Sequence, residues 1–324
     1  MISNLGIVAI GRNEGERLVR CLASIKGFTT NIVYVDSGSK DDSVLVARRD
    51  HASVVILDPT KPFSAARARN EGFAAVRELA PSLEFVQFID GDCTIDPGWI
   101  EFAISRITQQ SDVAVICGRR RERYPAASVY NQLCDLEWNT PVGETRACGG
   151  DMLVRVAAFE EVEGFRPHLI AGEEPELCVR LRERGWKIWR LDADMTLHDA
   201  SMTRFTQWWA RTVRCGHAFA EVSTLHRNSP QGIWKRETVR AVLWGGLIPA
   251  AICIGTIFYP ITALGWLLYI IQIVRVAFAR GVGSLSSWLF AFFVTIAKPA
   301  EFLGIVKFLK QRLFPRAISL IEYK

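Results

Sequence analysis

Short apolar runs alternate with helical patterns through the N-terminal part of the chain. The runs at 5–10, 32–35, 54–57 and 85–89 are rich in strand-forming residues and too short for helices. Residues 16–25, between the first two runs, instead space their apolar side chains along one face of a helix. Strands and helices that alternate in this way predict an α/β fold with a doubly wound, mixed but mostly parallel sheet.

The fourth run ends on two carboxylates, Asp90 and Asp92, which are separated only by Gly91. A strand that ends in this way directs oxygen ligands into the crevice at the carboxyl ends of a parallel sheet, where open α/β folds bind ligands. Such ligands suit Mg²⁺ or Mn²⁺, which is usually held by one or two carboxylates together with phosphate oxygens and water. An Asp-rich turn is the alternative, because Asp and Gly are common turn residues.

The pattern changes in the last third of the chain, where apolar residues become nearly continuous. Residues 241–259 contain no charged side chain and 260–279 are nearly as apolar, so each segment is long enough to cross a bilayer as a helix. We therefore predict two domains, a soluble domain at 1–232 and a membrane region at 233–324.

A third apolar stretch, at about 285–310, differs from these because Lys298 and Glu301 interrupt it. One charge at the bilayer centre costs about 2.5–3.5 kcal/mol on insertion scales. Two charges and Pro299 therefore favour an interfacial or re-entrant helix over a third span. Residues 203–225 mix aromatic and arginine side chains, which suits an interfacial amphipathic helix or a core helix with surface arginines.

The net charge of +5 is compatible with nucleic acid, anionic lipid or a phosphorylated substrate as partner. Basic residues cluster on both sides of the two predicted spans, which favours membrane lipids over nucleic acid and predicts that both flanks are cytoplasmic. The tail residues Lys307, Lys310, Arg312 and Arg316 extend this basic character. The eight cysteines include no Cys-x-x-Cys pair, so we expect reduced thiols and neither a zinc site nor a disulfide framework.

Six short motifs follow one another between residues 5 and 200. They are Asn13-Glu14, Val35-Asp36-Ser37-Gly38-Ser39, Ala68-Arg69-Asn70-Glu71-Gly72, Asp90-Gly91-Asp92, Gly149-Gly150-Asp151 and Gly172-Glu173-Glu174-Pro175-Glu176-Leu177. In this order the chain resembles the family 2 glycosyltransferases, which have the GT-A fold, and in particular their membrane-anchored bacterial-type members. The resemblance implies an enzyme that uses a nucleotide-diphosphate sugar and a divalent metal, Mg²⁺ or Mn²⁺.

The resemblance also implies roles for residues of the donor pocket. Asp36 would accept hydrogen bonds from the nucleoside, because a carboxylate only accepts and the nucleoside edge carries donors; a helix cap is the alternative. Arg69 would face the pyrophosphate or the base, since its planar fork suits phosphate oxygens, unless it lies on a solvated helix face. Asn13, Glu14 and Asp90 complete the expected pocket, with an ordinary turn as the alternative for the first two.

By the family pattern, Asp92 is the expected metal ligand and His198 completes the metal shell, although a lone His is more often a hydrogen-bonded structural residue. Glu173 and Glu174 occupy the place of the family's acidic pair, whose second member acts as general base on the acceptor hydroxyl. That member is Glu174 here and usually Asp in the family, so its longer side chain leaves open a transfer of the role to Glu173. A charge cluster that favours the dipole of the following helix is the alternative.

Two further segments have open alternatives. The loop Gly149-Gly150-Asp151 is expected beneath the acceptor, where missing side chains let a sugar approach the backbone, or is a plain tight turn. The arginines at 119–121 and 123 suit either an acceptor phosphate or a solvated face.

We expect an inverting glycosyltransferase that transfers a single sugar to a membrane-associated saccharide or lipid-linked acceptor. The resemblance and the basic flanks together predict a multi-pass protein of the cell inner membrane with a cytoplasmic catalytic domain. A processive polysaccharide synthase is one alternative, but its usual Gln-x-x-Arg-Trp motif is replaced at 207–211 by Gln-Trp-Trp-Ala-Arg. A non-catalytic membrane scaffold is the other, and the presence of Asp92, Glu174 and His198 argues against it.

Overall fold

The structure is a computed structural model that describes residues 1–281 and 283–314. The chain separates into two compact units, Met1–Ser201 and Met202–Lys324. This division falls earlier than the predicted boundary near 232, because the helix Phe205–Leu225 is grouped with the C-terminal unit. The assignment of 1–232 to a transferase domain and 233–324 to a membrane region stays a prediction. Arg316 of the predicted basic tail lies outside the described residues.

A mixed sheet forms the centre of the N-terminal unit. Its strands are β1 (Leu5–Gly11), β2 (Ile32–Asp36), β3 (Ser53–Ile56), β4 (Phe85–Asp90), β5 (Cys93–Ile95), β6 (Val113–Glu122), β7 (Gly143–Thr145), β8 (Met152–Arg155) and β9 (Lys187–His198). The helices beside it are α1 (Glu16–Ile25), α2 (Ser43–Arg49), α3 (Ala65–Leu79), α4 (Trp99–Gln109), α5 (Val129–Glu137), α6 (Val156–Glu161) and α7 (Glu173–Glu183). The strand order is β3-β2-β1-β4-β8-β6-β9-β5, and β7 also pairs with β9.

Most of the paired positions in this sheet are parallel. β1 pairs in parallel with β2 and β4, β2 with β3, and β6 with β9. β8 runs antiparallel between β4 and β6, and β5 and β7 are antiparallel to β9. The predicted α/β class with a mixed, mostly parallel sheet is therefore confirmed. The insertion of β8 brings the residue before it, Asp151, within hydrogen-bond distance of the end of β4.

Separate groups of buried side chains cover the two faces of the sheet. Neighbouring residues such as Ile7 and Val8 belong to opposite faces, as the alternation of side chains along a strand requires. Gly72 lets α3 pack directly on the sheet, because a Cβ at this position would lie 2.4 Å from Cγ1 of Val8 and 2.8 Å from Cγ2 of Val35. The glycine of the third motif therefore has a packing role.

The C-terminal unit is helical in its described part. Its elements are α8 (Phe205–Leu225), α9 (Lys235–Val242), a π-helical turn at Leu243–Leu247, α10 (Ile248–Phe258), a 3₁₀ helix at Pro260–Trp266, α11 (Leu267–Arg280) and α12 (Leu285–Leu313). Within the described residues, three continuous helices are long and apolar enough to cross a membrane: Lys235–Phe258, Pro260–Arg280 and Leu285–Leu313. The first contains all of the span predicted near 241–259 except Tyr259, and the second contains the span predicted near 260–279.

The helix α12 is unbroken although Pro299 lies inside it. Lys298 and Glu301, the charges that argued against a third span, form an ion pair at 2.7 Å within this helix. Pairing lowers the penalty of placing two charges among apolar groups. By length and composition α12 is able to cross a membrane, and its predicted interfacial or re-entrant placement stays a prediction.

The helices α8 and α12 pack at backbone distance. A Cβ on Gly216 would lie 2.0 Å from the carbonyl oxygen of Glu301, and a Cβ on Gly304 would lie 2.1 Å from the carbonyl oxygen of Val213. Small residues at a helix crossing allow this close approach. The segment 203–225 is therefore a packed helix of the C-terminal unit, with its aromatic side chain Trp208 against Phe293.

Candidate active site

Asn13 ties the loop after β1 to the loop after β2. Its side-chain oxygen accepts the N–H of Lys40 at 2.7 Å, and its own N–H donates to the Ser39 hydroxyl at 2.9 Å. Asn13 has φ 56°, a left-handed conformation that Asn adopts more readily than most residues. Glu14 pairs with Arg17 at 2.8 Å. Both residues therefore lie at the carboxyl ends of the parallel strands, and their contact with a donor stays a prediction.

Asp36 ends β2 and is almost completely buried. Its carboxylate accepts the N–H groups of Gly38 at 2.9 Å and Ser39 at 2.8 Å, and the Tyr34 hydroxyl at 3.2 Å. These bonds shape the loop, which is the structural alternative to nucleoside binding. A carboxylate offers about four acceptor positions, so a further bond to a nucleoside is compatible with this arrangement and stays a prediction.

Arg69 of α3 lies at the centre of an ion-pair network and not on a solvated helix face. Its Nη2 contacts Asp90 at 2.7 Å, and its Nη1 contacts Glu173 at 3.1 Å and Glu174 at 3.0 Å. Burial acts to lower the pKa of Arg69, but the attraction of Asp90, Glu174 and Glu173 outweighs burial and raises that pKa above its ordinary value. Arg69 is therefore a permanent cation that joins the end of β4 to the start of α7.

The loop before β8 leaves the space that this network occupies. A Cβ on Gly150 would lie 2.2 Å from Nη2 of Arg69 and 2.8 Å from Oε1 of Glu174. A Cβ on Gly149 would meet no atom of the described residues within 4 Å. Side chains of the protein itself therefore take the space at Gly150, whereas the space beside Gly149 is open, and the position of an acceptor sugar at this loop stays a prediction.

A second guanidinium, that of Arg120 on β6, connects Asp90 with Asp151. Its Nη2 lies 3.0 Å from Asp90 and 2.8 Å from Asp151. Asp151 is completely buried, and it also accepts the hydroxyl of Thr196 at 2.7 Å and the backbone N–H of Asp90 at 2.9 Å. Arg120 therefore holds one oxygen of the Asp90 carboxylate while Arg69 holds the other, and it does not lie on a solvated face.

The other arginines of the 119–123 run also have protein partners. These pairs are Arg119 with Asp135 at 3.0 Å, Arg121 with Asp194 at 3.2 Å, and Arg123 with the hydroxyl of Thr94. Each of these three arginines contacts a different partner, and the acceptor-phosphate site expected in this run stays a prediction.

Asp92 and His198 meet beyond the turn that ends β4. Nε2 of His198 lies 3.3 Å from Oδ1 of Asp92, and its Nδ1 lies 3.8 Å from Oε2 of Glu122. The ring of Trp138 packs edge-to-face on His198, with 4.8 Å between ring centroids. Ligand atoms of Asp92, Cys93 and His198 all lie within 4.8 Å of one another. The two predicted metal ligands are therefore brought together by the pairing of β5 with β9.

The donor atoms fit a hard divalent cation better than a zinc ion. Burial, and then the charge of Asp151, raise the pKa of the Cys93 thiol well above its ordinary value, which disfavours the thiolate that zinc prefers as a ligand. The remaining ligands are the carboxylate of Asp92 and the imidazole of His198. Mg²⁺ and Mn²⁺ favour oxygen ligands and commonly keep positions for phosphate and water, which two protein ligands leave free.

Glu174 has the properties of a group that exchanges protons near neutral pH. Burial, and then the charge of Glu173, raise the pKa of Glu174 to about 7, although Arg69 acts to lower it. Its side chain is 14% exposed, compared with 6% for Glu173. Gly172, with φ 80°, makes the turn that places both carboxylates at the N-terminus of α7.

Sequence reasoning missed several members of this network. Arg120 and Thr196 are paired positions on β6 and β9, and both bind Asp151. Knowledge of the pairing between β6 and β9 would have linked Arg120 to Thr196. That pairing joins distant parts of the chain, so no local pattern in the sequence indicates it. Trp138, which also lies 5.6 Å from the Arg120 guanidinium, belongs to a segment without regular pattern.

Comparison with protein families gives this site a context. Residues 7–155 match the family model described as glycosyl transferase family 2. This segment is a glycosyl transferase family 2 domain. It contains Arg69, Asp92 and Asp151, whereas Glu174 and His198 follow the matched residues.

Two curated relatives that this chain matches are glycosyltransferases by name. The pre-mycofactocin glycosyltransferase of Mycobacterium tuberculosis is 26% identical over 254 residues, which cover 74% of this chain and 50% of that protein. Glycosyltransferase AglE of Haloferax volcanii is 26% identical over 191 residues, which cover 54% of this chain and 60% of that protein. The chain therefore spans about half the length of the curated relatives it matches.

A solved structure has the same fold. The mannosyltransferase PcManGT from Pyrobaculum calidifontis, in complex with GDP-Man and Mn²⁺, superposes with a TM-score of 0.61. The superposition covers 94% of this chain and 87% of that one at 15% sequence identity. The predicted GT-A fold of the family 2 domain is therefore confirmed.

Proposed function

We propose that this chain is a metal-dependent, inverting glycosyltransferase that moves one sugar from a nucleotide-diphosphate sugar to a membrane-associated acceptor. The observation that carries the proposal is Arg69, which joins Asp90 to Glu173 and Glu174. Arg69 therefore holds the acidic pair Glu173 and Glu174 next to the end of β4, and Asp92 follows that strand end by two residues. The relatives named as glycosyltransferases and the neighbour with bound GDP-Man and Mn²⁺ support the same class of reaction.

In this proposal Asp92 and His198 hold the divalent cation, Mg²⁺ or Mn²⁺. Such a cation neutralises the charge that develops on a nucleoside diphosphate as it leaves. Asp90 is fixed by two guanidinium groups at 2.7 Å and 3.0 Å, which suits a carboxylate that positions a ribose or the neighbouring turn. Asp36, Asn13 and Glu14 line the loops on which the nucleoside would rest.

Glu174 is the proposed general base. Inversion requires a base that removes the proton of the acceptor hydroxyl on the side opposite the leaving group, and such a base supplies about 10²–10⁴-fold in rate. A pKa of about 7 gives Glu174 a useful ionised fraction at neutral pH while keeping it basic. Glu173 is the less exposed carboxylate, so we assign it the role of setting the charge around Glu174.

The C-terminal unit is the proposed membrane anchor. Its apolar helices support a multi-pass protein of the cell inner membrane, and the basic residues on both flanks of 241–279 support a cytoplasmic family 2 domain. An acceptor close to the bilayer, such as a lipid-linked saccharide, follows from that anchor.

The side chain of Gln207, the first residue of the segment that replaces the processive motif, has a structural role. Gln207 accepts hydrogen bonds from the backbone N–H groups of Thr203 and Arg204 at 3.0 Å, so it caps α8, which favours single transfer over the processive alternative.

The test uses the full chain purified in detergent and a set of nucleotide sugars that includes GDP- and UDP-linked forms. We expect at least one nucleotide sugar to be hydrolysed, or its sugar to be transferred, in the presence of Mn²⁺ or Mg²⁺. The reaction should stop when the cation is chelated. Asp92→Asn should abolish it, whereas Glu101→Gln, an exposed change on α4, should leave it intact. Equal turnover with and without a divalent cation would refute the metal role, and no turnover with any donor would favour the scaffold alternative.

A further inference from the structure

A polar cavity of about 420 Å³ opens in the N-terminal unit beside the paired strands β6 and β9. It is lined by Arg119, Arg121, Asn139, Arg190, Asp192 and Asp194. None of these residues belongs to the proposed donor or metal site. The volume is within the range of about 300–1,000 Å³ that is usual for small-ligand sites.

Two of the arginines that line the cavity have a buried Nε–H group without an acceptor. Arg190 is 3% exposed, and its Nη1 donates to the carbonyl oxygen of Leu191 at 2.7 Å. The Nε atoms of Arg190 and Arg119 are buried and have no hydrogen-bond partner within residues 1–281 and 283–314. Because buried polar groups in proteins are nearly always paired, these donors leave the positive charge of the cavity wall incompletely compensated.

The charges around the cavity are balanced. Arg119 pairs with Asp135 at 3.0 Å and Arg121 pairs with Asp194 at 3.2 Å. Arg190 and Asp192 then remain as one positive and one negative group on the same wall. A phosphate would be attracted by Arg190 and repelled by Asp192. A neutral ligand with hydroxyl groups accepts a hydrogen bond from Arg190 and donates one to Asp192.

We propose that this cavity binds a neutral saccharide unit of the acceptor. The proposal rests on the function proposed above, which requires a saccharide acceptor. Asn139 follows Trp138, whose ring contacts both His198 and the Arg120 guanidinium. A sugar ring in the cavity therefore lies beside the segment that covers the proposed metal ligand, where it is able to orient an acceptor.

The experiment compares the native full chain with the double variant Asn139→Ala/Asp192→Ala. Both side chains are exposed, so their removal should leave the fold intact. The control double variant, Glu78→Ala/Gln109→Ala, removes one acid and one amide from exposed positions on α3 and α4. The probes are neutral mono- and disaccharides, inorganic phosphate and pyrophosphate, each measured by ligand-observed NMR without donor present.

We expect at least one neutral saccharide to bind the native chain, and to bind the cavity variant about tenfold or more weakly, as the loss of a hydrogen bond to a charged group implies. The control should bind like the native chain. Saccharide binding that is equal in the two double variants, or no saccharide binding at all, overturns the proposal. Phosphate or pyrophosphate binding that depends on Asn139 and Asp192 also overturns it, since the cavity would then be an anion site.

Donor hydrolysis separates this proposal from the proposed function. The cavity variant should hydrolyse a nucleotide sugar at the native rate, because Asn139 and Asp192 are outside the donor and metal sites. Saccharide binding in a chain that turns over no donor would leave the cavity assigned and refute the transferase. Donor turnover without saccharide binding in the cavity would support the transferase and refute the assignment of the cavity.

Discussion

The proton affinity of Glu174 makes a specific prediction about the pH dependence of turnover. Its pKa is raised from 4.5 to about 7, first by burial and then by Glu173. With this pKa the carboxylate is about one-tenth ionised at pH 6 and about nine-tenths ionised at pH 8. Turnover that needs the ionised base should therefore rise about tenfold per pH unit below pH 6 and level off above pH 8.

Two variants identify the group that titrates. Glu173→Gln removes a neighbouring negative charge, so the pKa of Glu174 should fall and the midpoint of the profile should move to lower pH. Glu174→Gln should lose about 10²–10⁴-fold in transfer rate at pH 8 and above, where the native base is ionised, and should lose the dependence on this pKa, while still binding donor. The assay follows release of the nucleoside diphosphate at saturating donor, cation and acceptor between pH 5 and 9.

Three results would refute this reasoning. A flat profile between pH 6 and 8 would mean that no group of this pKa controls turnover. Near-native transfer by Glu174→Gln would remove Glu174 from the role of base. A midpoint that stays unchanged in Glu173→Gln would mean that the charge of Glu173 does not act on the titrating group.

Three further predictions concern binding and stability. Asp92→Asn and His198→Ala should each weaken Mn²⁺ binding by about 10–100-fold or more, measured by titration calorimetry; unchanged affinity in both would exclude this site. Gly72→Ala should destabilise the fold by about 1–3 kcal/mol despite its better helix propensity, because the new Cβ overlaps Val8; a higher midpoint of urea unfolding would contradict this packing. The raised pKa of Glu174 stabilises the folded state fully below pH 4.5, and this contribution, about 3 kcal/mol, is lost as pH rises through 7. Glu174→Gln should therefore lose less stability than the native chain between pH 5 and 8, and equal losses in thermal unfolding would argue against the raised pKa.

The periodic parts of the fold were predictable from the sequence because their signals are local. The runs at 5–10, 32–35 and 85–89 became β1, β2 and β4, since apolar strand formers bounded by turn residues have few other structures open to them. β5 and β7 have three residues each and carry no such pattern. β9 extends to His198, well beyond its apolar beginning, because it pairs with β6 on one side and with β5 and β7 on the other.

The candidate site was predictable where a residue's position in a motif fixes its place in the sheet. Asp92 follows a strand and His198 ends one, and the pairing of β5 with β9 brings them to 3.3 Å. The network around Arg120 was not predictable in this way, because it depends on the register between β6 and β9, which contains bulges. The neighbour of Gly150 was not predictable either. A glycine is required at this position whether a sugar or an arginine side chain fills the adjacent space, so the sequence does not distinguish the two.

The network around Arg69 and Arg120 has a consequence for the order in which ligands arrive. Four acids contact these two cations, namely Asp90, Asp151, Glu173 and Glu174, and Asp92 follows two residues after Asp90. Such an excess of negative charge repels a bare diphosphate and attracts a divalent cation. A nucleoside diphosphate should therefore bind weakly by itself and tightly once a cation is present, so that the metal enters before the nucleotide or together with it.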